Sequence, residues 1–182
     1  MIYVRDAKID DIEEMCKVNT KTWITTYKDI LPKDILEKRI QSEKQRIINT
    51  KKDLLEHPKN IKLVGLYDNK IVGMSYAGLS ETSLFPDSGE IYNLYILKEY
   101  QKLGLGKLMF YKAIEKLIEQ GYKDLVIKCL KDNKSCLFYE KLNGKLITTI
   151  NTPIYGYNVL ENIYYYKDMK ELVKKKWMKL KV

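Results

Sequence analysis

Histidine, cysteine and arginine are scarce in this 182-residue sequence, and each scarcity excludes a class of chemistry. The single histidine, His57, precedes a proline in a charged stretch. Ser-His-Asp or Cys-His catalysis, and any metal site with two histidine ligands, would need to be built around that one ring. A solvated surface imidazole is the simpler interpretation, so we expect no metal.

Only three cysteines occur, and none shows C-x-x-C spacing. Neither a disulfide framework nor a zinc knuckle is indicated, so we expect reduced, mostly buried thiols at Cys16, Cys129 and Cys136. The first residues lack a signal-peptide pattern, and no apolar run approaches the roughly 18 residues of a membrane span. These absences predict a cytoplasmic protein with no membrane partner.

Arginine occurs only at Arg5, Arg39 and Arg46, although the formal net charge is +9. The positive charge is therefore almost entirely lysine. Base readout and bidentate phosphate contacts favour arginine, whereas lysines spread along helices mostly solvate their outer faces. We expect no nucleic-acid partner, while a small polyanionic ligand remains compatible with the charge.

The chain has 45% apolar residues and a length that suits one domain with its own core. Hydrophobic periodicity gives the element order β-α-α-β-β-β-α-β-α-β-β, an α/β (α+β) domain with a mixed sheet. We expect the domain to span 1–168 and a basic, helical tail to span 169–182. Strands are predicted at 2–4, 61–67, 70–79, 89–97, 125–130, 145–150 and 161–167. The first helix is predicted to begin at 10–11, the second after Pro32 and the fourth after 132–133, and the third is predicted to end at Gly121.

The most informative stretch is QKLGLGK at 101–107, between a predicted strand and an amphipathic helix. A glycine-rich turn that opens a helix leaves backbone N–H groups unpaired, and these bind phosphate. The mononucleotide P-loop does not fit, because Leu108 stands where Ser or Thr is needed. The dinucleotide motif does not fit either, because Met109 replaces its third glycine.

The remaining pattern, Q-x-x-G-x-G, resembles the GNAT superfamily of acetyl-CoA-dependent N-acetyltransferases. The resemblance covers 89–144, through EIYNLYI, QKLGLG, KDLVIKCL and DNKSCLFYEKLNG. It implies a GNAT-like fold with a mostly antiparallel sheet, and acetyl-CoA as co-substrate without a metal. The cofactor residues it implies are Leu94, Tyr95, Ile96, Gln101, Lys102, Leu103, Gly104, Leu105, Gly106, Lys107 and Asn133.

Two residues match catalytic positions of the family. Glu90 matches the glutamate that acts as general base in one branch, with a solvated strand-end carboxylate as the alternative. Tyr139, in F-Y-E-K-L, matches the tyrosine that gives a proton to the departing thiolate, although a chain with 15 tyrosines also uses many for packing. For residues 94–96 the implied contacts involve backbone atoms, and Asn133 is equally suited to capping a helix.

Two positions depart from the family pattern, and two aromatic residues bear on the acceptor. Gln101 stands where arginine is more frequent, which leaves Lys102 and Lys107 to balance the pyrophosphate charge. Asn143 replaces a commoner glycine, and asparagine tolerates the left-handed conformation. Trp23 and Tyr27 share a helix face and could line an acceptor pocket, although such a face is more often core.

The resemblance implies transfer of an acetyl group from acetyl-CoA to a primary amine, by direct attack in a ternary complex. The expected partner is a small-molecule or peptide amine, and a homodimer is left open. A non-catalytic CoA-binding regulatory module is the alternative, and a basic nucleic-acid-associated protein is a third. Lys174, Lys175, Lys176 and Trp177 of the tail suggest either a solvated helix or contact with an anionic surface.

Overall fold

The computed structural model describes residues 1–178 and contains a seven-stranded sheet in the order β1-β2-β3-β4-β5-β7-β6. In this part of the chain only β4 and β5 pair in parallel, which confirms the predicted mixed, mostly antiparallel sheet. The strands are β1 (Ile2–Asp6), β2 (Ile61–Tyr67), β3 (Lys70–Leu79), β4 (Gly89–Ile96), β5 (Leu125–Leu130), β6 (Lys145–Ile154) and β7 (Tyr157–Tyr166). The helices are α1 (Ile12–Tyr27), α2 (Lys33–Gln41), α3 (Glu43–Glu56), α4 (Leu105–Glu119), α5 (Cys136–Lys141) and α6 (Met169–Met178).

Helices α4 and α1 cover opposite faces of the sheet. Gly65 and Gly73 pair across β2 and β3, and a Cβ atom on either would collide with Sδ of Met109 on α4. The next residue, Met74, points to the other face, where Nδ2 of Asn19 on α1 lies 3.8 Å from its Sδ. The strands between them are therefore buried on both sides.

Strands β2, β3 and β4 form the predicted antiparallel meander. Asp68 and Asn69 join β2 to β3 with φ values of 45° and 65°. A two-residue type I′ turn needs two successive positive φ angles, and Asp and Asn tolerate them better than most residues. The hairpin expected at these two residues is confirmed.

The stretch predicted as one helix after Pro32 is divided in two at Ser42, which separates α2 from α3. The Ser42 hydroxyl donates to the carbonyl oxygen of Arg39 at 3.0 Å. Arg46 donates to the same carbonyl at 3.2 Å. Side-chain donors thus replace the regular helical hydrogen bond, which periodicity alone does not reveal.

The last hairpin is longer than predicted, because β6 and β7 continue through most of the segment expected as a turn. The turn itself is Tyr155-Gly156, with φ values of 49° and 82°. Most β6 side chains are exposed, so the strand has few apolar signals in the sequence. Pro153 is accommodated because β6 is an edge strand.

Helix α6 begins where the tail was expected to begin. Met169 is fully buried and Leu172 is 7% exposed, and both belong to the main core. The side chains of 176–182, including Lys176 and Trp177, lie outside the described part. Over residues 1–178 no helix has the length and apolar character needed to cross a bilayer.

Candidate active site

Strands β4 and β5 separate after two residue pairs. Gly89 pairs with Leu125 and Glu90 with Val126, and the described residues contain no further pair between these strands. Over residues 91–96, β4 therefore has β3 on one edge and no strand on the other. Backbone groups along that edge can pair with an extended ligand, as the resemblance implies for residues 94–96.

Tyr92 is an extra residue in β4. Two adjacent residues of β3 pair with β4 residues that are two positions apart, which leaves Tyr92 without a partner. Such a β-bulge exchanges the faces of the strand beyond it. Glu90 therefore lies on the face of Asn93 and Tyr95, whereas unbroken alternation places it on the face of Leu94.

The predicted phosphate loop leads into α4. Lys102 and Gly104 have positive φ values of 64° and 90°, and the first turn of α4 has neither a side-chain cap nor an acidic residue. Unpaired N–H groups and the helix dipole make this helix start attractive to phosphate. Gln101 donates from Nε2 to the carbonyl oxygen of Ile96 at 3.0 Å, which ties the loop to the end of β4.

A cavity of about 510 Å³, here called the loop cavity, lies between this helix start and α5. Four of its lining residues are lysines and none is acidic. Sequence reasoning missed Lys134 and Lys141, although both lie in the stretch that carries the resemblance. The predicted residues that line it are Leu94, Ile96, Gln101, Lys102, Gly104, Gly106, Lys107 and Tyr139.

Four predicted cofactor residues do not line the loop cavity, namely Leu103, Leu105, and Tyr95 and Asn133, which line a second cavity described below. Leu103 is 48% exposed at the surface of the turn. Leu105 is buried in the core, where its side chain faces Gly65 of β2. The side chain of Leu105 therefore packs in the core, and that of Leu103 lies at the surface.

A second cavity of about 140 Å³, the cleft cavity, lies beside the divergence of β4 and β5. Tyr27 and Tyr95 line it with hydroxyl groups 3.5 Å apart, and Asn133 lies 3.5 Å from the Tyr27 hydroxyl. Trp23 also lines it and packs edge-on against Tyr27. Trp23 and Tyr27 are also buried core residues, which confirms the core interpretation, and their role toward an acceptor stays a prediction. Asn133 accepts a hydrogen bond from the backbone N–H of Ser135 before α5, as a capping residue does.

Tyr139 lines both the loop cavity and the cleft cavity. Its carbonyl oxygen accepts hydrogen bonds from the Tyr166 hydroxyl and the Gly144 N–H, which fix its backbone. Burial raises the pKa of the Tyr139 phenol well above its ordinary value of about 10. The hydroxyl therefore carries its proton throughout the physiological pH range.

Glu90 is fully buried behind the cleft cavity. Its Oε2 accepts hydrogen bonds from the Ser80 hydroxyl and the Glu81 N–H, at 3.1 and 2.8 Å. Its Oε1 lies 3.1 Å from Nζ of Lys128, without the alignment of a hydrogen bond. Burial alone would lower the pKa of Lys128, but Glu90 and Glu81 outweigh it and raise that pKa. Lys128 lines the cleft cavity and thus separates Glu90 from it.

Among residues 1–178 no three His, Cys, Asp or Glu side chains are grouped so that they could hold a metal ion. The three cysteines are buried and free, and His57 is exposed, as predicted.

Residues 20–144 match the family model described as Acetyltransferase (GNAT) family. The chain belongs to the GNAT family. It is 28% identical over 166 residues to the uncharacterized N-acetyltransferase YuaI of Bacillus subtilis, covering 88% of this chain and 90% of that protein. It is 23% identical over 145 residues to a spermidine N(1)-acetyltransferase of Thermoplasma acidophilum, covering 79% and 87%.

A solved structure supports the GNAT fold. The PaiA N-acetyltransferase from Thermoplasma acidophilum, in complex with coenzyme A, superposes with a TM-score of 0.69 at 18% identity, covering 92% of this chain and 99% of that one. This GNAT chain is therefore an N-acetyltransferase. The lysine-lined loop cavity and the uncapped helix start fit the phosphates of coenzyme A, and the free edge of β4 fits its extended arm.

Proposed function

We propose that this GNAT enzyme transfers the acetyl group of acetyl-CoA to a primary amine by direct attack in a ternary complex. The observation that carries the proposal is the position of Tyr139 on the wall shared by the loop cavity and the cleft cavity. With acetyl-CoA along the loop cavity and an amine in the cleft cavity, the two substrates meet at this tyrosine. Tyr139 is the general acid, which donates its proton to the departing thiolate.

Glu90 is the general base in this proposal, acting through water. Its Oε2 is fully engaged, but Oε1 keeps hydrogen-bonding capacity on the side of Lys128. A water between Oε1 and the cleft cavity can pass the proton of the attacking amine to the carboxylate. The second candidate base is Glu161, which lines the cleft cavity directly.

Thermal-shift measurements with acetyl-CoA, CoA and ATP test cofactor binding. Acetyl-CoA at saturation is expected to raise Tm by several degrees, since a ligand at 100 times its Kd adds about 2.7 kcal/mol. Thiol release over a panel of primary amines then tests turnover. Binding without release for any amine would support the regulatory module, and absence of binding would refute both.

The two candidate bases are separated by matched amide variants. Glu90→Gln is expected to lower kcat/KM about 100-fold, because removal of a general base costs that much or more. Glu161→Gln should change it less than threefold, and Glu81→Gln, which removes the exposed partner of Lys128, serves as control. The measurement is initial-rate kinetics on folded variants, and a larger loss in Glu161→Gln than in Glu90→Gln would move the base to Glu161.

A further inference from the structure

The three arginines differ in their partners. Arg5 makes two hydrogen bonds to the carboxylate of Asp11, at 2.5 and 2.9 Å. Arg39 and Arg46 have no carboxylate within 4 Å among the described residues. Both lie next to each other beside α1, so two like charges are held together without an ion-pair partner, and Glu43 acts on Arg46 only from a longer distance.

The side chains that accept hydrogen bonds from Arg39 and Arg46 are neutral. Arg39 and Arg46 both donate to Oδ1 of Asn19, and Arg46 also donates to the hydroxyl of Thr20. The Arg39 guanidinium lies 5.3 Å from the centre of the Trp23 ring. Its Nε is buried and has no hydrogen-bond partner, which is costly for a charged donor.

Both arginines line a cavity of about 240 Å³, here called the arginine cavity. Lys62 and Asp53 also line it and pair with each other, so the charge of the two arginines is left unbalanced. Asn93 of β4 lines both the arginine cavity and the cleft cavity. The two cavities therefore have Asn93 as part of a common wall.

The charges of Arg39 and Arg46 also act on the hydroxyl of Tyr155. Burial alone would raise the pKa of Tyr155, but hydrogen bonds with Ser42 and Arg39 and the charges of both arginines lower it. The turn between β6 and β7 thus lies within the same positive field.

We propose that the arginine cavity binds an anionic group of the acceptor, a carboxylate or a phosphate, while the amine of that molecule lies in the cleft cavity. The inference rests on the proposed function for the amine, but the anion site itself is independent of turnover. Guanidinium groups bind carboxylate and phosphate through paired hydrogen bonds, and two such groups line this cavity. An acceptor with only positive charges, such as a polyamine, would meet repulsion there.

Binding is tested without catalysis, with CoA at saturation so that the loop cavity is filled. Inorganic phosphate at millimolar concentration is expected to raise Tm further, and Arg39→Gln should abolish that rise. Lys44→Gln removes an exposed charge from α3 and should leave it intact. If Arg39→Gln fails to fold, Arg39→Lys is used instead. It keeps the positive charge but lacks the paired N–H donors of the guanidinium, and should bind phosphate several-fold more weakly than the wild type. No phosphate effect on the wild type, or an equal effect in wild type and variant, overturns the site.

Catalysis is tested with acceptors that differ only in the anion. L-lysine is compared with cadaverine, and phosphoethanolamine with ethanolamine, so that carboxylate and phosphate are distinguished. In at least one pair the anionic amine should have a kcat/KM at least about 10-fold higher than the amine without the anion. Arg39→Gln should bring the ratio of the two kcat/KM values close to one. Equal or higher kcat/KM for both amines that lack the anion, cadaverine and ethanolamine, overturns the proposal. If no amine reacts, the acetyl-transfer proposal fails, and the phosphate measurement still decides the anion site.

Discussion

Among single residues, Tyr139 has two properties that a proton donor needs. It borders the space proposed for each substrate, and its buried phenol keeps its proton at any physiological pH. Glu90 differs in that its carboxylate is engaged and shielded by Lys128. In the proposed mechanism Tyr139 therefore transfers its proton directly, whereas Glu90 acts through water.

Tyr139→Phe is expected to lower kcat about 100-fold and to leave the Kd for acetyl-CoA within twofold, because only the acid is removed. Tyr157→Phe changes an exposed tyrosine and should alter neither quantity. Rates and binding isotherms for both variants provide the measurement. Since burial raises the pKa of Tyr139, the wild-type rate should show no fall from loss of this proton up to about pH 10. A Tyr139→Phe enzyme with wild-type kcat would exclude the acid role.

At the scale of elements, the site depends on how α4 begins. Gly104 has a φ of 90°, and the nearest atom to a Cβ there would be 3.9 Å away. Glycine is thus required for backbone conformation and not for space. Gly121 has a φ of 95° with no atom within 4 Å, but it lies at the other end of α4.

Gly104→Ala and Gly121→Ala should each destabilise the fold by about 1 kcal/mol, because both force alanine into a left-handed conformation. Only Gly104→Ala should also weaken acetyl-CoA binding, by at least about fivefold, since it displaces the first N–H groups of α4. Chemical denaturation and isothermal titration give the two quantities. Equal affinities in the two variants would mean that the loop does not bind the cofactor through its backbone.

The sequence was sufficient for elements whose signals are local. The turn at Asp68 and Asn69, the meander and the start of α4 all follow from residue types at adjacent positions. The bulge at Tyr92 was not predictable, because it depends on the register between two strands. The break at Ser42 depends on a side chain competing for a backbone carbonyl, and the arginine cavity depends on residues brought together from α1, α2 and α3.

At the scale of the whole molecule, α6 joins the core although half of its residues are charged. Met169 is fully buried, and it follows directly after the boundary predicted for the domain. Tyr166 and Met169 thus lie in one continuous core, and Lys170, Lys174 and Lys175 of α6 are exposed.

Met169→Ala should lower the free energy of unfolding by about 2 to 4 kcal/mol, as expected for a buried methionine. Lys170→Ala, at the adjacent exposed position, should change it by less than about 0.5 kcal/mol. Urea denaturation of the two variants provides the comparison. A loss below about 1 kcal/mol in Met169→Ala would mean that α6 is dispensable for the fold.

The bulge at Tyr92 has a consequence for engineering. Beyond it, Asn93 and Tyr95 border the cleft cavity without bordering the loop cavity, while Leu94 and Ile96 border both. If the proposed function holds, a combinatorial library restricted to positions 93 and 95 is therefore expected to vary acceptor selectivity and to spare the donor. Deletion of Tyr92 would remove the bulge and leave each of these side chains on its present face, because Ile91 and Asn93 already pair with adjacent residues of β3.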